Sequence, residues 1–207
     1  VKQSVITVGL VGDGTSDQLL FGPIRWVGNK ANCRLNLEPY DSIGKSASRL
    51  SSDISDGALD LLIVHRDAEK QAPKLRKGEI EAFVSSLPTI NWVPVIPVRM
   101  TESWFLFDET AIRAAAGNPA GKCPLNLPKL NKVESDPNSK ETIKIVLEQA
   151  TELSGRRLKS FSWREALHRL PDLIEDYSPL EILPAFADFS REMRAALEQL
   201  QSLKDSE

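Results

Sequence analysis

The sequence predicts an α/β protein with a mainly parallel sheet flanked by helices, followed by a helical C-terminal extension. Two observations predict this fold class. In the first half of the chain, short apolar runs alternate with segments of helical spacing, which is typical of a parallel sheet with crossover helices. In the second half, only the helical spacing continues. At 207 residues with 41% hydrophobic content, the chain can bury a substantial core.

The predicted strands alternate with three predicted helices. The clearest strand contains the unbroken apolar run from Leu61 to Val64, as expected for a strand buried on both faces of a parallel sheet. Two prolines in the run 92–98 favour an edge strand or an irregular start, because proline cannot donate to a strand ladder. Strands are expected at 5–11, 33–37, 61–65 and 92–98, and helices at 16–27, 46–54 and 78–86.

After Asp108 no strand pattern returns. Residues 117–138 are rich in Pro, Gly, Asn and Lys, which predicts a long loop. Helical spacing then marks residues 142–153, 163–170 and 180–203. The last of these helices can be interrupted at Pro184. We therefore expect an α/β domain over residues 1–116, and a long loop with a helical extension, packed on that domain, over residues 117–207.

Acidic residues follow three of the predicted strands. Asp13 lies in a Gly-Asp-Gly turn after the first strand, Asp67 and Glu69 follow the third, and Glu102 follows the fourth. Ligands of open α/β sheets bind beyond the carboxyl ends of the strands. The carboxylates of Asp67 and Glu69 can point the same way if the chain stays extended, and two close carboxylates require a cation or a proton between them. Taken singly, each acid also fits a solvated loop, and Glu102 fits a helix start.

The order of these motifs resembles the small Toprim-like family of bacterial proteins. The resemblance covers roughly residues 3–108 and rests on Asp13-Gly14-x-Ser16-Asp17, Asp67-x-Glu69 and the segment from Glu102 to Asp108. The parent superfamily includes type IA topoisomerases, bacterial primases, a ribosomal-RNA maturase and nucleases of the overcoming-lysogenization-defect type. In that superfamily, a Glu-Gly turn after the first strand supplies a general acid/base or a metal ligand, and an Asp-x-Asp strand end binds Mg²⁺.

Two motif positions depart from the superfamily pattern. Asp13 stands where the superfamily has Glu, so its carboxylate reaches one methylene less far. The Asp-x-Asp element aligns either as Asp67-x-Glu69 or as His65-x-Asp67. We prefer the first alignment because it keeps two carboxylates beyond the strand. These substitutions leave open whether the chain cuts its substrate or only binds metal.

The resemblance implies a nuclease, that is, a hydrolase of nucleic-acid phosphodiesters that depends on Mg²⁺ or Mn²⁺, in an antiphage or repair complex. The expected catalytic residues are Asp13, Asp67, Glu69 and Glu102. The first three are the expected metal ligands, since carboxylates are the hard oxygen ligands that these ions prefer. Arg66 or Lys70 is a candidate phosphate contact because each lies next to the acidic strand end.

Two other functions stay open. The first is a catalytically degenerate Toprim-like binding subunit of a larger complex. The second is a small-molecule phosphotransfer enzyme, since the stretch from Gly12 to Asp17 also resembles the phosphate-binding loop of lipid and NAD kinases. A P-loop is excluded because no Gly-Lys-Ser/Thr follows the glycines.

Composition limits the expected partners. The net charge is −3 and the pI about 5.6, whereas proteins that bind nucleic acid unaided usually have a basic face. We therefore expect a protein partner, for example an ATPase, or a homo-oligomer to help bind DNA or RNA. Local cations at 156–159 are more typical of a solvated surface, and Trp163 shares a helical face with Leu167 and Leu170, which favours the core over a base-stacking platform.

Cysteine usage and hydropathy indicate which cross-links and which cellular compartment to expect. Cys33 and Cys123 are isolated and the chain has two histidines, so neither a zinc site nor a disulfide framework is indicated. No apolar run approaches the length of a membrane span, so we expect a cytoplasmic protein without membrane contact.

Overall fold

A computed structural model describes residues 5–12, 15–69 and 71–204. For residues 15 and 16 it describes the backbone only. Its sheet has four parallel strands, which are β1 (Val5–Val11), β2 (Arg34–Pro39), β3 (Leu61–His65) and β4 (Asn91–Val95). Their order is β2-β1-β3-β4, so β4 is an edge strand, which is one of the two alternatives that the prolines of the run 92–98 favoured. The predicted α/β class with a parallel sheet is thus confirmed.

Helices connect and cover these strands. The α-helices are α1 (Phe21–Lys30), α2 (Ile43–Ser55), α3 (Pro73–Val84), α4 (Glu109–Ala115), α5 (Ser139–Thr151), α6 (Gly155–Lys159), α7 (Trp163–Leu173) and α8 (Pro184–Lys204). Short 3₁₀ helices occupy Thr15–Leu20, Thr101–Phe105, Leu130–Ser135 and Ser178–Ile182. In the part of the chain that the structure describes, no helix is long and apolar enough to cross a membrane.

Two apolar cores cover the two faces of the sheet. The smaller core packs α2 and α3 on one face through Leu50, Ile54, Leu62, Val64 and Ile80. The larger core joins the other face to α1, α4, α5, α7 and α8. Side chains from residues 117–207 therefore share one apolar core with the sheet, because the apolar stripes of these helices face it.

The strand order creates a crevice between β1 and β3. The chain moves from β1 to β2 on one side of β1 and then returns to place β3 on its other side. The chain leaves β1 towards β2 and leaves β3 towards β4, so the two connections diverge and leave a crevice between the carboxyl ends of β1 and β3. In parallel α/β sheets such a topological switch point is where ligands bind, at the carboxyl ends of the strands.

Several helix boundaries differ from the expected ones for local reasons. The helix expected at 16–27 is a 3₁₀ helix followed by α1, since Pro23 has no N–H and fits only the first turn of a new α-helix. Helix α4 was missed, although the Asp108 carboxylate caps it by accepting from the Ala111 N–H at 2.9 Å. Helix α6 was missed because it buries none of its residues and so has no apolar stripe.

Candidate active site

His65 is the centre of a polar cluster at the carboxyl end of β3. Its side chain is 2% exposed. Ring atom Nδ1 lies 3.1 Å from Oδ1 of Asp17, and Nε2 lies 3.1 Å from Oδ1 of Asp67. The Thr101 hydroxyl lies 2.9 Å from the same Nε2. The imidazole thus bridges two acids that are 50 residues apart in the sequence, within the crevice between β1 and β3.

The two acids determine the charge of His65. Burial alone lowers the pKa of the imidazole, but the hydrogen bonds and negative charges of Asp17 and Asp67 outweigh burial and raise it to about 9. The ring is therefore a cation at neutral pH, with its Nε2–H directed at Asp67 and its Nδ1 within ion-pair distance of Asp17. Together the three groups carry one net negative charge.

Asp67 is held rigidly by one of its two carboxylate oxygens. Oδ1 accepts hydrogen bonds from the Thr101 N–H at 3.0 Å and the Thr101 hydroxyl at 3.3 Å, in addition to the contact with His65. Its backbone carbonyl accepts from Nε of Arg76 at 3.0 Å. Among the described residues, the hydrogen bonds to the carboxylate all end on Oδ1, and the side chain is 27% exposed. Oδ2 is therefore available to a ligand in the crevice.

The backbone after β3 places Asp67 beside Thr101. The N–H groups of Arg66 and Ala68 donate to the carbonyls of Val95 and Pro97 at 3.1 and 2.9 Å, which extends the pairing with the segment after β4. The Thr101 N–H is then directed at the Asp67 side chain instead of at another carbonyl.

Glu69 does not join Asp67 at this cluster. Its φ of 53° is left-handed, so the extended conformation on which the expected pairing depended ends at this residue. Its side chain is 60% exposed, and its carboxylate lies 3.8 Å from Arg76. Its backbone carbonyl accepts from the Arg99 guanidinium at 2.8 Å. The carboxylates of Asp67 and Glu69 therefore have different partners.

The other expected site residues have separate environments. Glu102 follows Thr101 directly and is nearly buried, with its carboxylate 3.7 Å from the Lys140 ammonium. The Arg66 guanidinium pairs with the Glu79 carboxylate on α3 at 3.1 Å. Asp13 and Lys70 lie outside the described residues. Across residues 5–12, 15–69 and 71–204, no group of three or more His, Cys, Asp and Glu side chains is arranged to hold a metal ion.

Asp17, His65 and Thr101 were not among the expected site residues. His65 had a detectable signal, because a histidine that ends a fully buried strand requires partners for both ring nitrogens. Gly12 gives a second signal. A Cβ at that position would overlap the Asp17 carboxylate, with Cγ at 2.7 Å, so only glycine lets this carboxylate approach the strand end.

A cavity of about 180 Å³ opens next to the polar cluster and connects it to the end of β2. Its lining includes Asp17, Tyr40 and Arg49. The Arg49 guanidinium lies 4.6 Å from the centre of the Tyr40 ring, whose hydroxyl donates to Asp53 at 2.6 Å. Comparison of the chain with protein-family models, curated proteins and solved structures gives no match.

Proposed function

We propose that this chain is a Toprim-like phosphodiesterase that acts on DNA or RNA with Mg²⁺ or Mn²⁺. The observation that carries the proposal is the position of Asp67. Its carboxylate lies at the crevice between β1 and β3, is held on one oxygen by Thr101 and His65, and leaves the other oxygen available. An all-parallel sheet of this order is consistent with the Toprim-like resemblance.

The donor set fits a metal ion in part. Asp67 offers a hard oxygen ligand, whereas Glu69 is directed at Arg76 and does not. Asp13 follows the neighbouring strand β1 and is the second ligand in this proposal. Glu102, brought to the same edge by the turn at Thr101, stays a candidate for a further catalytic role. A bound ion would activate a water molecule and offset charge on the phosphate.

The polar cluster has a positioning task in this function. His65 compensates the buried charge of Asp17 and directs an N–H at Asp67, so the free oxygen of Asp67 keeps a fixed orientation. Arg66 is engaged with Glu79, so a phosphate would have to compete with that ion pair. The net charge of −3 supports help from a protein partner, for example an ATPase in an antiphage or repair complex, or from self-association.

A second candidate function is a catalytically degenerate binding subunit. The observation that favours it is the internal cation: His65 already neutralises part of the charge of both acids that it contacts. Among the described residues no three acids or histidines are arranged to hold an ion, so the free oxygen of Asp67 would support weak ion binding but not a closed ligand set.

Nicking of supercoiled plasmid in Mn²⁺ or Mg²⁺ tests the proposal. Asp67→Asn should reduce nicking by more than about 100-fold, because it removes the ligand charge while keeping the shape of the side chain. Glu69→Gln is the matched control and should stay within about twofold, since its carboxylate faces Arg76. The two variants, purified identically, also control for contaminating nuclease.

The outcomes separate the two candidate functions. Nicking that is lost in Asp67→Asn supports the enzyme. Absence of nicking, with a Mn²⁺-dependent rise in melting temperature that Asp67→Asn abolishes, supports the binding subunit. Equal nicking by wild type and Asp67→Asn contradicts the assignment of Asp67.

A further inference from the structure

A groove between α5, α6 and α7 combines positive charge with aromatic surface. Its volume is about 620 Å³. Its lining includes three cations, one carboxylate and two aromatic rings: Lys144, Lys159, Arg164, Glu148, Phe161 and Trp163. In a chain of net charge −3, this lining has an excess of positive charge. The groove is separate from the polar cluster at His65.

The cations of the groove are close enough to affect one another. Lys144 is paired with the Glu141 carboxylate at 2.9 Å, which raises the pKa of Lys144 more than the positive charge of Arg164 lowers it. The neighbouring helix α6 adds exposed Arg156 and Arg157 and buries none of its residues. Lys159 and Arg164 are exposed as well, and a bound anion would offset the positive charges of these four side chains. A polyanion is therefore the ligand class that this charge arrangement favours.

The aromatic surface narrows the class of polyanion. The Arg164 guanidinium lies 4.8 Å from the centre of the Trp163 ring, and both Trp163 and Phe161 are half-buried. A nucleobase can stack on an aromatic ring or on the plane of an arginine guanidinium. Such stacking requires bases that are free of a duplex. An acidic peptide, by contrast, would leave this flat surface unused.

A row of lysines connects the groove to the candidate active site. Lys140 contacts Glu102 at 3.7 Å, and Lys144 lies four residues further along α5 on the same helical face. The rise of an α-helix separates these two positions by about 6 Å along its axis. Each of these lysines has a carboxylate partner, and together they place two ammonium groups between the turn at Thr101 and the groove, where one extended strand could contact both.

We infer that the groove between α5, α6 and α7 binds single-stranded nucleic acid, with phosphates at Lys144, Lys159 and Arg164 and a base stacked on the Arg164–Trp163 pair. This inference rests on the proposed function in that it names the substrate class of that site. The expectation that Trp163 belongs to the core is confirmed, and the inference adds a role for the rest of the ring. The ring packs against the core with part of its surface and presents the rest to the groove.

Fluorescence anisotropy with a labelled oligo-dT of about 20 nucleotides, in EDTA, tests the inference. The triple variant Lys144→Gln, Lys159→Gln, Arg164→Gln should bind at least about tenfold more weakly. Its salt slope should fall by about 2, because three phosphate contacts on a single strand each contribute about 0.7. The matched control, Arg25→Gln, Lys30→Gln, Arg191→Gln, makes the same charge change away from the groove and should bind within about twofold of wild type.

The remaining arms separate this inference from the proposed nuclease. Binding is measured without metal and therefore does not depend on nuclease activity. If the triple variant of the groove loses oligonucleotide binding, the result supports the groove as a binding site even when wild type fails to nick plasmid. If wild type nicks plasmid and the triple variant binds the oligonucleotide as wild type does, the groove is not the binding site, while the proposed nuclease function stands. Equal competition by a duplex of the same length, or by polyglutamate, also overturns the single-strand assignment, as does a wild type that binds no oligonucleotide.

Discussion

The polar cluster around His65 and the aromatic cluster around Trp104 are both buried, and both use the 3₁₀ helix Thr101–Phe105. Thr101, its first residue, contacts His65 and Asp67. Trp104, three residues later, packs edge-on against Phe186 with ring centres 5.1 Å apart. One short helix therefore joins a region that ion pairs and hydrogen bonds stabilise to a region that apolar packing stabilises.

The two clusters respond to different perturbations. Aromatic contact depends on volume and is insensitive to pH, while the polar cluster depends on one proton and two carboxylates. The aromatic cluster also contains a polar contact, in which Nε1 of Trp104 donates to Glu134 at 3.0 Å. Burial raises the pKa of the Glu134 carboxyl, and the hydrogen bond from Trp104 opposes that rise.

The largest expected effect is the loss of the Trp104 side chain. Trp104→Ala should lower the free energy of unfolding by about 3–5 kcal/mol, because it removes a fully buried ring and leaves a cavity beside Phe186 and Phe189. Urea denaturation followed by circular dichroism measures the change. Trp104→Phe is the control, since it restores most of the volume and should recover more than half of the loss. A loss below about 1 kcal/mol in Trp104→Ala would show that the cluster does not hold the helical extension to the sheet.

The second effect isolates the proton of His65. The pKa is about 9 in the folded protein and 6.5 for a free histidine, so the protonated ring stabilises the fold most below about pH 6.5. This contribution, on the order of 3 kcal/mol, should disappear as the pH rises through 9. We expect the difference in unfolding free energy between wild type and His65→Gln, measured in EDTA, to shrink over that window. Groups common to both proteins cancel in this difference, so parallel curves from pH 6 to 10 would refute a charged His65.

The contrast between the clusters also explains what the sequence can predict. Periodicity is a local property, so it identified the four strands, the parallel sheet and the buried Leu167 and Leu170 of α7. The end of a predicted strand is also a local feature, so the sequence correctly placed Asp67 at the carboxyl end of β3, where parallel sheets bind ligands. The bridge from Asp17 to His65 requires the spatial neighbourhood of β1 and β3, and no local pattern encodes it. The left-handed φ of Glu69, likewise, occurs together with backbone contacts to Arg99, which is 30 residues away in the sequence.

The smallest expected effect compares two glycines. A Cβ at Gly12 would overlap the Asp17 carboxylate and lie 3.2 Å from Nδ1 of His65, whereas a Cβ at Gly78 in α3 has no atom within 4 Å. Gly12→Ala should therefore cost about 1–2 kcal/mol, since Asp17 must move away from the imidazole to make room. Gly78→Ala should instead stabilise the protein by about 0.5 kcal/mol, because alanine lowers the entropy of the unfolded chain in an open helical position.

The pH dependence of the Gly12→Ala variant shows where its cost arises. Displacement of Asp17 removes one of the two negative charges that raise the pKa of His65, so stability should begin to fall at a lower pH than in wild type. Urea denaturation from pH 6 to 10 measures this shift, and Gly78→Ala should keep the wild-type profile. A Gly12→Ala variant with lower stability but an unchanged pH profile would mean that the strain is absorbed by the backbone after β1 and that the contact between Asp17 and His65 survives.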